Sequence, residues 1–267
     1  MIPYGRQSLD EQDIENVVQA LKSNWLTTGP FLGQFEDAIA QEVNAPFATA
    51  VANGTLALHL AILSLDLKPG FKGITSPLTF AASANAILYA GGQLDLIDIC
   101  PNHPGIDVDA LEKYCKEVGP PDVVISVAYG GWNPDLAALH QLSQKEGFKI
   151  IEDASHALGS HFKHQGELYK TGDGHFSDLT TFSFHPVKNI TTAEGGLITT
   201  KDAKLNERLR DLRHHGITKN KDRLKRSNPP PWYYEIESLG FNARLSELHA
   251  ALGVSQMSKL MAFKSKR

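Results

Sequence analysis

The sequence predicts an α/β fold built on a seven-stranded, mostly parallel sheet with helices on both faces. Short apolar runs recur along the chain, and most of them are separated by segments with helical periodicity. Such alternation is typical of β-α-β units, whose crossover helices cover both faces of a parallel sheet. The predicted strands are residues 48–52, 73–76, 94–98, 123–127, 149–152, 180–184 and 196–200.

Helical periodicity accounts for most of the remaining chain. A first amphipathic helix is predicted over residues 10–23, with acidic residues in its first turn. Further helices are predicted over residues 31–42, 55–65, 81–90, 108–118, 134–146, 202–214 and 243–261. Residues 217–238 break the pattern, because they are charged and then contain three successive prolines. That composition favours a mobile surface loop.

Composition favours a soluble protein that acts on small molecules. The 267 residues include 26 Lys and Arg against 30 Asp and Glu, a formal charge of −4 that argues against nucleic-acid or anionic membrane partners. The two cysteines, Cys100 and Cys115, form no CxxC motif, and we expect them to be reduced. We find neither a leader pattern nor a long apolar run nor an HExxH motif, so we expect a cytoplasmic protein without a metal.

Lys188 is the strongest candidate for a reactive group. It follows an apolar strand within residues 183–196 and precedes the Gly195-Gly196 turn. Burial beside apolar or cationic neighbours lowers the pKa of a lysine, and the neutral amine can form a Schiff base with a carbonyl. A solvated surface lysine is the alternative.

An anion site is predicted where the first strand meets the following helix. Asn53-Gly54-Thr55 would place the amides of a helix N-terminus around a phosphate, and the Ser183 hydroxyl could join them. The alternative is an ordinary Asn or Thr cap. The chain has neither a Walker motif nor a GxGxxG motif, which argues against a nucleoside-triphosphate or Rossmann site.

Two titratable groups follow the strand at residues 149–152. Asp153 could keep a pyridine nitrogen protonated and so make the ring an electron sink, with His156 nearby. Phe80 follows another strand and could stack on a ring. The alternatives are a helix cap for the aspartate, an ordinary polar role for the histidine and a core or wall position for the aromatic ring.

Six segments together resemble the DegT/DnrJ/StrS family of pyridoxal-phosphate-dependent sugar aminotransferases, which have the type I aminotransferase fold. They are residues 25–30 (WLTTGP), 53–58 (NGTLAL), 79–86 (TFAASANA), 152–159 (EDASHALG), 183–196 (SFHPVKNITTAEGG) and 239–245 (LGFNARL). His156 and residues 182–188, 192–196 and 231–235 are most similar to members that aminate the 4-keto carbon of a UDP-linked 6-deoxy N-acetylamino sugar on the way to pseudaminic acid.

The resemblance implies specific roles at the matching positions. Lys188 would bind the cofactor and then shuttle protons, Asp153 would pair with the pyridinium nitrogen, and His156 would lie near the phenolic oxygen. The phosphate would be held by Gly54, Thr55 and Ser183, and by Asn242 of a neighbouring subunit in a homodimer. The residues expected to line the sugar-nucleotide pocket are Tyr4, Asn24, Trp25, Leu26 and Thr27.

The resemblance also implies a division of the chain. Residues 1–30 would form an N-terminal helix and a substrate-pocket loop, and residues 31–240 the cofactor-binding large domain. Residues 241–267 would form an interdomain helix. Family members continue into a small C-terminal α/β domain, which we expect to be absent or truncated here.

The predicted function is transfer of an amino group from glutamate to a UDP-linked 4-keto sugar. A sugar dehydratase of the same fold is one alternative, but those relatives replace the lysine by histidine, and Lys188 argues against it. An alternative from another class is a cofactor-holding protein without transaminase activity that acts as a binding or regulatory module.

Overall fold

A seven-stranded sheet organises the computed structural model, which describes residues 5–266. The strands are β1 (Phe47–Val51), β2 (Lys72–Thr75), β3 (Gln93–Leu96), β4 (Val123–Val127), β5 (Lys149–Asp153), β6 (His161–His164), β7 (Glu167–Lys170), β8 (Leu179–Ser183), β9 (Gly196–Thr200), β10 (Ile217–Thr218) and β11 (Glu235–Ile236). The main sheet has the order β1-β9-β8-β5-β4-β2-β3, and the other four strands form two separate ribbons.

The predicted α/β architecture with a mostly parallel sheet is confirmed. Strand β9 runs antiparallel to both β1 and β8, whereas all other neighbours in the main sheet are parallel. Every residue of the central strand β4 is buried, which explains its continuous apolar sequence.

The helices lie on both faces of this sheet. Within residues 5–266 they are α1 (Glu11–Lys22), α2 (Pro30–Val43), α3 (Gly54–Ser64), α4 (Ala81–Tyr89), α5 (Val108–Val118), α6 (Leu136–Glu146), α7 (Ala203–Arg213), α8 (Glu247–Met257) and α9 (Leu260–Lys266), with a 3₁₀ turn at Tyr129–Gly131. Helices α3, α4 and α7 cover one face, and α2, α5, α6 and α8 cover the other. Successive side chains of β5 follow this division: Ile151 packs in the first layer and Ile150 in the second.

The prediction of a single helix over residues 243–261 is wrong in two respects: the helix begins later, and two helices replace one. Residues 242–246 are not helical: Arg244 forms a β-bridge with Val51, while Ala243 and Leu245 are buried on alternate positions. Helix α8 begins only at Glu247, where the Ser246 hydroxyl accepts a hydrogen bond from the N–H of His249 at 3.3 Å. It ends at Met257, before α9 begins.

The segment predicted as a surface loop, residues 217–238, has more structure than its composition suggests. Its two ends pair as the antiparallel ribbon β10–β11. Arg223 forms ion pairs with Asp211 and Glu207 of α7 and with Glu237 of the ribbon's far end. The mobility of this segment stays a prediction.

The ribbon β6–β7 was not predicted from the sequence. Its turn consists of Gln165 and Gly166, both with positive φ of 50° and 88°, as a two-residue hairpin turn requires. The facing rings of Phe162 and Tyr169 stack with their centroids 5.8 Å apart. Gln-Gly is a weaker hairpin signal than Asn-Gly or Asp-Gly, which is why the pattern was inconspicuous.

Residues 5–266 contain neither a membrane-spanning helix nor a cluster of metal-ligating side chains. None of the helices there combines the length and the apolar character needed to cross a bilayer. The His, Cys, Asp and Glu side chains of the same residues nowhere assemble in threes around a possible metal position. Cys100 and Cys115 are both free thiols.

Glu247 ties the last part of the chain to the start of α2. Its carboxylate is fully buried and accepts hydrogen bonds from the backbone N–H groups of Gly29, Phe31 and Leu32 at 2.9, 2.8 and 3.0 Å. A helix N-terminus leaves its first amides without intrahelical partners, and here a distant side chain supplies the acceptors.

Replacement of Glu247 by alanine should therefore destabilise the fold. Each buried amide left without an acceptor costs about 1–3 kcal/mol, so we expect the free energy of unfolding to fall by about 3 kcal/mol or more. Urea titration followed by circular dichroism measures the change. Glu247→Gln, which keeps one side-chain oxygen, should lose less; an equal loss in both variants would contradict a role as amide acceptor.

Candidate active site

A cleft of about 900 Å³ opens at the carboxyl edge of the parallel strands. Residues that follow β1, β2, β4, β5 and β8 line it, which is where parallel sheets place their ligands. The predicted residues found in its wall are Gly54, Thr55, Phe80, Asp153, His156, Ser183 and Lys188. The structure thus brings into one cleft positions that are far apart in the sequence.

One end of the cleft is formed by a helix N-terminus. Helix α3 begins at Gly54, and the Asn53 side chain accepts the N–H of Leu56 at 2.9 Å. Asn53 is therefore the helix cap, as the alternative interpretation held. The earlier amides of Gly54 and Thr55 precede the first intrahelical bond, and their position at the positive end of the helix dipole suits a phosphate.

Close approach of two backbone segments shapes this end of the cleft. A Cβ atom on Gly54 would lie 2.9 Å from the Cβ and 3.1 Å from the Oγ of Ser183. A Cβ on Gly196, the first residue of β9, would lie only 2.3 Å from the carbonyl oxygen of Asn53. Glycine at both positions lets the Ser183 hydroxyl and β9 approach the helix N-terminus.

Asp153 is buried and firmly oriented at the floor of the cleft. Only 4% of the residue is exposed. Its Oδ1 accepts the N–H and the hydroxyl of Ser155 at 3.2 and 2.6 Å, and its Oδ2 accepts the hydroxyl of Ser83 at 2.7 Å. These three donors fix the plane of the carboxylate.

The contact between Ser83 and Asp153 was not predicted from the sequence. Ser83 lies in α4, one turn after Thr79, and the two hydroxyls are 2.7 Å apart. Thr79 directly precedes the helix cap and Ser83 lies in the first turn, and this spacing of four residues, which lets the two side chains meet, was a usable signal. The partner of Ser83, Asp153, is 70 residues away, so the contact itself was not predictable.

His156 is held in one tautomer. Its Nδ1 accepts a hydrogen bond from the N–H of Gly130 at 3.1 Å, so the proton of the neutral ring is on Nε2. Burial lowers the pKa of His156, the positive charge of Lys188 lowers it further, and Asp153 opposes both effects. At neutral pH the ring is therefore an uncharged hydrogen-bond donor through Nε2.

Lys188 is half-buried, and its charge is disfavoured. Burial lowers the pKa of Lys188, and the charge of Asp153 opposes that shift. A lowered pKa raises the fraction of neutral amine, the form that attacks a carbonyl.

Hydrogen bonds within the loop hold the segment that carries Lys188. The carbonyl oxygen of Phe184 accepts the hydroxyl of Thr191 at 3.2 Å and the N–H of Thr192 at 3.0 Å. The N–H of Lys188 donates to the carbonyl of His185 at 2.9 Å. These bonds restrict the conformations of the loop that carries the amine.

The remaining predicted site residues are more exposed. Phe80 lines the cleft, but it is 72% exposed and makes no ring stack among residues 5–266. The residues that lie outside the cleft and are exposed are Asn24, Trp25, Leu26, Thr27 and Asn242. Their proposed roles toward a sugar nucleotide or a second subunit stay predictions. Tyr4 falls outside the residues that the structure describes.

Comparison with protein families gives a match over nearly the whole chain. The family model described as the DegT/DnrJ/EryC1/StrS aminotransferase family matches residues 7–267.

Curated relatives are similar along the whole chain. A UDP-4-amino-4,6-dideoxy-N-acetyl-beta-L-altrosamine transaminase of Campylobacter jejuni is 39% identical over 97% of this chain. The spore coat polysaccharide biosynthesis protein SpsC of Bacillus subtilis is 37% identical over 100% of the chain. The chain spans 65% and 66% of the length of these two relatives, respectively.

Solved aminotransferase structures are similar to this chain in fold. Helicobacter pylori PseC, described as an aminotransferase involved in the biosynthesis of pseudoaminic acid, superposes with a TM-score of 0.86 at 31% identity, covering 97% of this chain and 66% of that one. The sugar aminotransferase Spr1654 of Streptococcus pneumoniae, in a form with pyridoxamine phosphate, gives a TM-score of 0.86 at 29% identity, covering 98% and 66%.

Proposed function

Because the chain belongs to the DegT/DnrJ/EryC1/StrS aminotransferase family, we propose that it is the cofactor-binding part of a pyridoxal-phosphate-dependent nucleotide-sugar transaminase. One observation carries the proposal: an anion site, a buried carboxylate, a neutral histidine and a lysine with a lowered pKa line the same cleft.

The residues of the cleft fit this cofactor. The amides of Gly54 and Thr55 and the hydroxyl of Ser183 would hold the phosphate, in a space that a Cβ on Gly54 would fill. Asp153 would hold the pyridinium nitrogen, and the Nε2 proton of His156 would be donated to the phenolic oxygen. Phe80 would cover the ring. When bound, the cofactor supplies an electron sink for carbanions next to the transferred nitrogen.

The chain's own groups then perform the remaining tasks. Lys188 would hold the cofactor covalently at rest, and its amine, once displaced by the amino donor, would carry a proton to and from the substrate carbon. Its half-buried position and lowered pKa suit a group that must act as a base. Asp153 keeps its orientation through Ser83 and Ser155 while the proton moves.

For the reaction, we take glutamate as the amino donor and a UDP-linked 4-keto-6-deoxy N-acetylamino sugar as the acceptor. The name of the Campylobacter jejuni relative and the description of PseC support a sugar of this type, with pseudaminic acid biosynthesis as its context. The loop of Asn24, Trp25, Leu26 and Thr27, together with Tyr4, would contact the sugar nucleotide.

The proposed assembly is a cytoplasmic homodimer in which Asn242 reaches the phosphate region of the neighbouring subunit. The exposure of Asn242 outside its own cleft is compatible with that role. Within each subunit, residues 1–30 would provide the substrate loop, residues 31–240 the cofactor domain and residues 241–267 the connection toward a small C-terminal domain.

A two-stage assay tests the proposal. We expect glutamate to discharge the visible absorbance of the cofactor-loaded chain with release of 2-oxoglutarate, and the 4-keto sugar nucleotide to restore it. If the chain binds the cofactor but glutamate leaves the absorbance unchanged, it acts as a cofactor-holding module without transaminase activity.

A further inference from the structure

A second cavity, of about 180 Å³, shares Lys188 with the cleft. Its walls come from residues 6–8, from the loop between β8 and β9, and from helices α8 and α9. The residue that the proposed reaction uses therefore forms part of the wall of both spaces.

The wall of this cavity is held by internal hydrogen bonds. Gln256 is 1% exposed, and its Nε2 donates to the carbonyl of Ser8 at 3.0 Å and to the Oδ2 of Asp13 at 2.9 Å. Its Oε1 accepts the N–H of Thr191 at 3.4 Å. The N-terminal segment is thereby fixed to α8 and to the lysine loop, so the cavity is a built feature of the fold.

The charged side chains that line the cavity directly have one sign. Its charged lining residues within 5–266 are Arg6, Lys188 and Lys266, all cationic. Arg6 and Lys266 are exposed and take no part in the ion pairs found in that part of the chain. A cavity with this lining attracts anions, and it has room for a small group only.

We infer that this cavity binds the side-chain carboxylate of a dicarboxylic amino donor, with Arg6 as the principal contact. The inference rests on the proposed transaminase function. The donor's amino group must reach Lys188, so the rest of a glutamate molecule extends into space beside that residue. The planar guanidinium of Arg6 matches a carboxylate in two parallel hydrogen bonds, and Lys266 adds positive charge at the mouth.

Glutarate, a dicarboxylate without an amino group, is the probe, because its binding requires no turnover. Titration calorimetry on the chain incubated with pyridoxal phosphate would compare wild type, Arg6→Ala and Arg6→Lys. We expect Arg6→Ala to bind glutarate about tenfold more weakly and Arg6→Lys to keep most of the affinity. Arg208→Ala is the matched control, since Arg208 is an exposed arginine paired with Asp66 away from the cavity.

A second readout compares two amino donors. Arg6→Ala should raise the concentration of L-glutamate needed to discharge the cofactor absorbance about tenfold and leave that of L-alanine unchanged, because alanine has no second carboxylate. Unchanged glutarate affinity in Arg6→Ala, or equal weakening in Arg208→Ala, would overturn the inference. Failure of the proposed function is distinct: wild type would then either lack the cofactor absorbance or keep it unchanged in the presence of glutamate and of alanine, whatever its affinity for glutarate.

Discussion

Replacement of Lys188 by alanine should abolish the visible absorbance that the chain acquires with pyridoxal phosphate. The free aldehyde absorbs at shorter wavelength, whereas the longer-wavelength band meant here requires a covalent bond to an amine. Lys188 is the lysine in the wall of the large cleft. The side chain is also proposed to move the proton, so any remaining half-reaction with glutamate should slow by at least about 10²-fold. Absorption spectra before and after gel filtration measure the first effect, and single-turnover kinetics the second.

Two further variants make this result specific. Lys188→Arg keeps the positive charge and should lose the absorbance equally, because a guanidinium does not form the bond. Lys113→Ala, at an exposed lysine that pairs with Glu117 on α5, should keep it. Persistence of the absorbance in Lys188→Ala, with far-ultraviolet circular dichroism like that of wild type, would show that another amine holds the cofactor.

Positions at strand ends were the predictable part of this site. Asp153, Ser183 and Lys188 were recognised because they lie at or just beyond the carboxyl ends of apolar strands, and parallel strands end at one edge of a sheet. The contacts that orient these groups were not recognisable in this way. The hydroxyl of Ser83 and the amide of Gly130 reach their partners only because α4 and the turn after β4 fold over the same edge.

Local sequence patterns did not predict the direction of β9 or the first residue of α8. Parallel neighbours need a crossover of about a dozen residues or more, which is usually helical. The connection from β8 to β9 contains no helix, and the two strands are antiparallel. The missing helix was thus the sequence signal for the antiparallel pairing. The start of α8 was misjudged because residues 243–245 satisfy a helical pattern, yet their backbone is held by β1 and α7. Such partners lie far away in sequence, and no local window contains them.

Glu152 is a buried carboxylic acid with no use in the proposed reaction. It is 1% exposed and precedes Asp153, but on a strand it faces the opposite side of the sheet. Its Oε2 accepts the hydroxyl of Thr180 at 2.9 Å, and its Oε1 has no partner among residues 5–266. Burial, together with the charges of Asp173 and Asp153, raises the pKa of Glu152 to about 7, although the Thr180 hydroxyl and a nearby backbone amide oppose this.

This raised pKa should make the fold less stable as the pH rises. Between the ordinary value of 4.5 and the folded value of about 7, the folded state binds more protons at Glu152 than the unfolded state does. The stabilising contribution is therefore complete below the ordinary pKa and is lost as the pH rises through the folded one. A shift of this size corresponds to about 3 kcal/mol.

Glu152→Gln should remove this pH dependence, because glutamine resembles the protonated acid and cannot ionise. We expect the unfolding free energies of the variant and wild type to be close near pH 4.5 and to separate by about 3 kcal/mol in favour of the variant above pH 7, as urea titrations at each pH would measure. Glu117→Gln, at an exposed glutamate, is the control and should follow wild type. Parallel curves for Glu152→Gln and wild type across this range would mean that Glu152 has the same proton affinity in both states. The neutral form would then give the fold no advantage, despite the unpaired Oε1.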